Sequence, residues 1–558
     1  MSPPTRRAFL RDASLLGTTA TLPWLSACGT STSPLSGPSG AASVFRHGVA
    51  SGDPLSDRVI LWTRVSGVSA GSVQVRWLVG MDPDLNQVLR SGTVTTHAER
   101  DYTVKIDAEG LAPATTYYYR FEALGQSSTI GRTRTLPVGT VDHLRLAFTS
   151  CSQYEDGFFN VYRVMARRAD LDAVLHLGDY IYENDGTDRL GRRPEPPREI
   201  LSLEDYRARY AQYRSDPDLQ EAHRQHPWIC VWDDHESTND SWKDGAQNHN
   251  EGEGDWPTRK AIATRVYHEW MPIRTPDPDD LTRIFRSFAF GDLVDLIVLE
   301  TRLFGRDRPA DSLAQRRVID DPGRTMMGFE QEDWLAQQIT ASTARWRVYG
   351  NQTMFAQLHV LNSLLANDVI NVELLDIPAN PDQWDGYEGN RDRIFDQWRV
   401  QNIRNNVVIT GDIHTSWANE LTPSPGDLTQ YGPLTGRGSM GVEFITPSVT
   451  SSGLPEIDGI ADVIRLVNTH IKYVDTASHG YVLLDITPER CQGEFWYVPT
   501  IETPDDGEAF AAAFLTRDAF GDGQNGWNRL ERSSSPTEPK ADAPALAPAP
   551  AAAETVAP

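Results

Sequence analysis

Four short stretches gather residue types that bind metals or move protons. They are "FTSCSQ" with Cys151, "LGDYIYE" with Asp179 and Tyr182, "WDDHESTN" with Asp233, Asp234, His235 and Asn239, and "VVITGDIHTSW" with Asp412 and His414. In each, the polar residues end an apolar run of strand-like composition. Singly, each has an ordinary structural explanation: Gly-Asp after a strand is usually a turn, and a strand-end cysteine is usually a small buried apolar residue. Together they ask for a common one. Neighbouring strand ends converge, and several carboxylates gathered in one pocket cannot all stay ionised without a cation.

Metal ions resolve that repulsion. A carboxylate has two oxygens to share, which makes Asp179 the natural bridging ligand. Tyr182 lies three residues on, and a phenol gives up its proton only to a strongly Lewis-acidic ion such as a ferric one; a Cys151 thiolate suits the same iron. His414 offers a borderline nitrogen, whereas Asp234, Asn239 and Asp412 offer hard oxygens suited to calcium, magnesium or manganese. The ligand chemistry suggests a mixed site, with a dinuclear zinc, manganese or magnesium site as the alternative. Spacing does not separate Asp233 from Asp234 as the ligand.

The elements that must position these residues change character along the chain. Residues 44–138 show short alternating runs ("VILWTRV", "SVQVRWLV", "YTVKIDA", "TTYYYRFEAL") between Gly, Pro, Asp and Asn clusters, the pattern of a small all-β sandwich. It holds no cluster of ligands and reads as a structural or docking module. Over residues 142–530, strand candidates alternate with helical ones and carry polar residues at their C-terminal ends, which predicts a layered α/β domain with its site along one edge of the sheets.

The bulk numbers agree with two domains plus terminal extras, since 558 residues exceed one ordinary core. With 77 acidic against 52 basic residues the formal net charge is -25, which argues against binding to a nucleic-acid backbone. An anionic substrate would need a local positive source, such as metal ions. Cys28, Cys151, Cys230 and Cys491 form neither a disulfide framework nor a CxxC site. In residues 1–28, "TRRAFLR" resembles a twin-arginine export signal and "LSAC", ending in Cys28, resembles a lipobox. The expectation is export by the Tat machinery to the periplasm or cell surface, with a lipid anchor on Cys28 as the only membrane attachment. Residues 29–43 read as a flexible tether and 531–558, rich in Pro and Ala, as a disordered tail.

The order GDxxY, then DDHE in the place of GNHE, then GDxH in the place of GHxH, is similar to metallophosphoesterases of the purple acid phosphatase type. The chain more closely resembles the alkaline phosphatase D (PhoD) family, in which Cys takes the first ligand position. The likeness runs from "FRHGVASGDP" through "LEDYRARYAQYRSDPDLQEAH", "NHNEGEGDW" and "YHEWMPIR" to "WDGY", "VEFITPSVTSSG" and "HIKYVD". The resemblance implies a metallophosphoesterase-like layered α/β sandwich preceded by the small all-β domain. It implies iron held by Cys151, Asp179, Tyr182 and His414, beside calcium bound through Asp179, Asp234, Asn239 and Asp412. His235 is then the proton donor or phosphate contact and Arg302 a phosphate contact, while Glu300 stands where the family usually has Asp.

The implied activity is metal-dependent hydrolysis of phosphate monoesters, diesters or both. Its rivals are a phosphodiesterase acting on lipids, nucleotides or cell-wall polymers and, from another class, a lipid-anchored binding protein without catalysis. Other polar residues read as structural: His176 as a core histidine, Cys230 and Cys491 as buried thiols. Asn248 and His249 fall in a Gly-rich loop that would lid the pocket, and Ser152 lacks a general base.

Overall fold

The computed structural model describes residues 43–311, 315–358, 381–453, 459–521, 523 and 525–550, which lie in one compact unit. The expected signal, Cys28 and most of the tether fall outside them, as do residues 551–558 of the tail.

Two large sheets build the layered part of the chain. The first has ten strands, with Leu144–Thr149, Ala173–His176 and Pro227–Cys230 parallel neighbours at its centre. Their near-continuous apolar runs are buried throughout, as parallel strands covered on both faces require. The second has seven strands, including Val294–Val298, Trp346–Gly350, Asn406–Thr410 and Gly441–Ile445, also parallel to one another. Side chains alternate across it with the period of two that strands impose. Leu296, Val298, Val348, Val407 and Ile409 join Leu146, Phe148 and Leu175 in the core between the sheets. Ile297, Tyr349 and Val408 point the other way, onto Leu335, Ile339, Ile394 and Trp398 from helices Phe329–Ala341 and Glu388–Val400. The result is the expected layered α/β sandwich. The helix Leu203–Tyr213 starts at Ser202, which exchanges bonds with Asp205 in a capping box.

The N-terminal region is all-β, but it is not a free-standing sandwich. One of its layers continues the ten-stranded sheet: Val49–Gly52 pairs in parallel with Pro227–Cys230, and Arg58–Arg64 and Thr103–Glu109 extend from it. The facing layer is the separate five-stranded sheet of Ser72–Gly80, Val88–His97 and Thr116–Ala123 with two short strands. Val49, Leu61 and Val104 pack with Val75, Tyr119 and Phe121 between them.

Residues 531–550 are ordered against the fold, which corrects that part of the tail expected to be disordered over 531–558. Glu531–Ser533 adds a strand to the sheet edge. Thr537 donates to Asp485 Oδ2 (3.0 Å) and Glu494 Oε1 (2.7 Å), Arg145 donates to the Glu538 carbonyl (2.7 Å), and Lys540 pairs with Asp172. Further on, Tyr118 donates to the Ala545 carbonyl (2.6 Å) and Ala547 is buried against Leu85 and Tyr118. Among the described residues, no helix is long and apolar enough to cross a membrane.

Candidate metal centre

The sheets deliver all four motifs to one place. Cys151, Asp179 and the Asp233–Asp234 pair follow the C-terminal ends of three adjacent parallel strands, and Asp412 and His414 follow Asn406–Thr410 of the facing sheet. Two glycines permit the approach. A Cβ on Gly178, whose φ is 110°, would lie 2.3 Å from Asp233 Cβ, and one on Gly411 would lie 2.7 Å from Ser150 Cβ. Cys151 N donates to the Gly178 carbonyl (3.1 Å), tying two of the turns together. The backbone itself turns sharply: Cys151 (φ 62°), Asp179 (56°), Asp412 (60°) and His414 (57°) are all left-handed, a conformation that costs a non-glycine residue about 1–3 kcal/mol and clusters at functional sites.

The donor atoms fall into three overlapping groups, within each of which they lie no more than 4.8 Å apart: Cys151, Asp179 and His414; Asp179, Asp233, Asp234 and Asp412; and Asp179, Asp234 and His235. Asp179 is common to all three. Tyr182 belongs to the first corner, its hydroxyl 3.1 Å from both Asp179 Oδ2 and His414 Nε2 and accepting from Ser451 Oγ at 2.7 Å. His414 Nδ1 meets the Ser452 carbonyl at 2.9 Å, which turns Nε2 towards the cluster. A soft corner of sulfur, nitrogen and phenol thus meets a hard corner of carboxylates at Asp179.

The electrostatics of the protein alone leave this cluster short of positive charge. Burial pushes Asp179 well above the usual carboxylate range; His235 opposes that, and Asp234, Glu236 and Asp412 add to it. Burial likewise raises Asp233 and Asp412, against the opposing pull of Arg302. Asp234 is held low despite burial by Arg302, His235 and the Asp240 N–H, which donates to Oδ2 at 2.6 Å. Burial and the Asp179 charge drive the Cys151 thiol and the Tyr182 phenol well above their ordinary values. Asp233 Oδ2 and Asp234 Oδ1 are buried without a hydrogen-bond donor. Orphaned carboxylate oxygens beside a thiol, a phenol and an imidazole fit a pair of cations.

Two of the expected site residues carry protein partners of their own. Arg302 is fully buried, with its guanidinium engaged by Asp233, by Asp382 Oδ2 (2.6 Å) and by Asp412 Oδ1 (3.3 Å). It offsets the charge of the carboxylate wall. Asn239 commits its side-chain N–H to Gln247 Oε1 (2.8 Å), which leaves Oδ1 as the one side-chain atom able to reach a cation. Glu300 gains a definite function: its carboxylate accepts from Trp232 Nε1 (2.8 Å) and from the backbone N–H groups of Arg302, Leu303 and Phe304, fixing the turn that aims Arg302.

His235 stacks on Tyr182 with ring centroids 4.2 Å apart, and its Nδ1 is 2.6 Å from Glu183 Oε2. Burial works against its charge, but Glu183, Asp179 and Asp234 raise it well above the ordinary histidine value. His176 is a core histidine, bonded to the Tyr162 hydroxyl at 3.0 Å. Ser152 donates to the Tyr180 carbonyl (3.0 Å), a backbone-fixing bond, and His249 is tied into its own loop at the Gly254 carbonyl (3.2 Å).

Sequence reasoning missed a supporting layer. Glu183 holds His235, Gln383 donates to Asp412 Oδ2 (2.5 Å), Asp382 joins Arg302 to Arg306, and Glu236 accepts from three backbone N–H groups of the ligand turns. The signal available was adjacency: Glu183 follows Tyr182, Glu236 ends "WDDHE", and Asp382 and Gln383 precede "WDGY".

Comparison with known proteins finds one family along most of the chain. A family model for PhoD-like phosphatases matches residues 146–495, and one for the N-terminal domain of PhoD-like phosphatases matches residues 30–137. The chain is 36% identical over 497 residues to an alkaline phosphatase D of Bacillus subtilis (strain 168), covering 85% of this chain and 80% of the relative. A solved structure described as PhoD superposes with a TM-score of 0.78 at 34% identity, covering 90% of this chain and 94% of that one.

Proposed function

The chain belongs to the PhoD-like phosphatase family and is a phosphoric ester hydrolase, and on that premise we propose that it cleaves phosphate monoesters, diesters or both at a mixed iron and calcium centre. The observation that carries the metal assignment is the position of Asp179, shared by a corner of Cys151, Tyr182 and His414 and a corner of Asp233, Asp234 and Asp412. In this reading the first corner would hold iron and the second calcium, with Asn239 Oδ1 available to it and Asp179 within reach of both. When bound, the cations supply Lewis acidity at the phosphoryl oxygens and lower the pKa of the attacking water.

The protein's own groups do the rest. Glu183 takes His235 Nδ1 and so leaves Nε2 as the atom that can pass a proton to the leaving oxygen. Arg302 offsets the charge of Asp233, Asp382 and Asp412, reducing the repulsion an incoming phosphate meets in a chain of net charge -25. The turns from two sheets fix the geometry before substrate arrives.

The test is elemental analysis of protein purified without chelators, with its visible spectrum and a phosphatase assay on matched mono- and diesters. Iron with calcium and a tyrosinate charge-transfer band is the expected result; active, colourless protein holding zinc or manganese alone would overturn the assignment of ligands to metals. The reading extends to export by the Tat machinery and a lipid on Cys28, supported by "TRRAFLR" and "LSAC". Mass spectrometry of the mature N-terminal peptide checks it, an unmodified Cys28 being the contrary outcome.

A further inference from the structure

Three backbone N–H groups in the ligand turns lie beyond the ends of their strands: Asp179 and Tyr180 after Ala173–His176, and Asp233 after Pro227–Cys230. Buried N–H groups need partners, and the sheet ladder has already ended there. All three find the same one. Glu236, 2% exposed, accepts from Tyr180 N at Oε1 (2.6 Å) and from Asp179 N (3.1 Å) and Asp233 N (2.9 Å) at Oε2. The two turns it joins carry Asp179, Asp233 and Asp234, the residues of the carboxylate corner that come from the ten-stranded sheet. They are also pressed together at Gly178, where a Cβ would collide with Asp233.

We propose that Glu236 is a positioning residue for the metal centre: its carboxylate splices two strand-end turns into one rigid unit and so sets the separation of Asp179 from the Asp233–Asp234 pair. The inference rests on the metal reading above and deepens it. Glu236 touches neither cation nor substrate in this role; it acts through the backbone of the residues that do. A carboxylate is required because both oxygens accept. A glutamine would present an NH2 group at one end and leave either the Tyr180 N–H or the Asp179 and Asp233 pair without an acceptor.

The experiment uses chelator-treated full-length protein and Mn2+ as the probe of the oxygen corner, with free ion read by electron paramagnetic resonance and folding by circular dichroism. Glu236→Gln is expected to weaken Mn2+ binding by about 10–100-fold, the range for groups that orient metal ligands. Glu420→Gln is the control, since Glu420 is also buried and accepts a backbone N–H, from Leu530 at 2.8 Å, but holds no ligand turn; its Mn2+ affinity should stay at the wild-type value. Wild-type affinity in folded Glu236→Gln, or an equal loss in the control, overturns the proposal. If Glu236→Gln does not fold, Glu236→Asp, one methylene shorter, is read the same way: weakened binding supports the proposal and unchanged binding overturns it. Wild-type protein that binds no Mn2+ would instead overturn the metal reading on which the proposal rests.

Discussion

The two edges of the ten-stranded sheet use aspartate in opposite ways. At the edge where its parallel strands begin, each carboxylate meets a cation: Asp485 bonds to His143 (2.7 Å), Arg145 (3.0 Å) and Arg490 (2.9 Å), Asp170 to Arg145 (2.9 Å), and Asp172 to Lys540 of the tail. Burial alone would raise Asp485, but these partners outweigh it and hold it below the usual carboxylate range. At the edge where the strands end, Asp179, Asp233 and Asp234 crowd around Arg302 together with Asp412 of the facing sheet, and three of these four are pushed up. The same residue type on the same sheet stabilises at one edge and stays short of countercharge at the other. Carboxylates perturbed by burial and by one another cluster at functional sites.

The contrast predicts a graded set of outcomes. Asp179→Asn removes the ligand shared by every donor group, and activity and bound metal are both expected to fall to background; near-normal turnover in that variant would erase the distinction between the edges. Returning metal to chelator-treated protein should raise its melting temperature, with about 2.7 kcal/mol of added stability at a hundredfold excess over Kd, measured by scanning calorimetry. At the opposite edge, Asp485→Asn should cost about 3–5 kcal/mol, the usual loss when a buried ion pair loses one partner, while kcat holds. A depressed carboxyl contributes its stability fully above its unfolded value, about 3.9, and loses it as pH falls through the folded one. Acid melts of the wild type should therefore steepen below that point, and Asp485→Asn should flatten them. The smallest effect belongs to Tyr118→Phe, which removes the bond to the Ala545 carbonyl: about 1 kcal/mol, with faster proteolytic clipping of the tail.

The first row of candidate ligands, which the structure brings together, was legible in the sequence because an apolar strand ending in Gly-Asp or Asp-Asp-His is a local pattern, and neighbouring parallel strands end on one side. The row behind it was not. Glu236, Gln383 and Asp382 act on atoms of other segments, and Arg302 reaches the cluster at its expected place but is taken by carboxylates from three other segments of the chain. The N-terminal sandwich was read correctly as all-β, but strand composition does not tell whether an edge stays open or joins another sheet, as Val49–Gly52 does. The tail misled for a different reason. Pro and Ala cannot collapse on themselves, which composition records; yet this segment docks largely through its carbonyls, at Glu538, Ala545, Ala547 and Pro548, and every residue has one.

The left-handed turns bear on how such a centre changes over evolutionary time. Asp, Asn and His tolerate positive φ several-fold better than other non-glycine residues, and Asp179, Asp412 and His414 are of those types. Cys151, at φ 62°, is the exception, a thiol placed where the main chain would more readily accept an aspartate. Replacing it would ease the turn and convert the soft corner into one of oxygen and nitrogen only. The sulfur donor of that corner therefore sits at the position whose backbone least favours it, and an aspartate could replace it without rebuilding the loop.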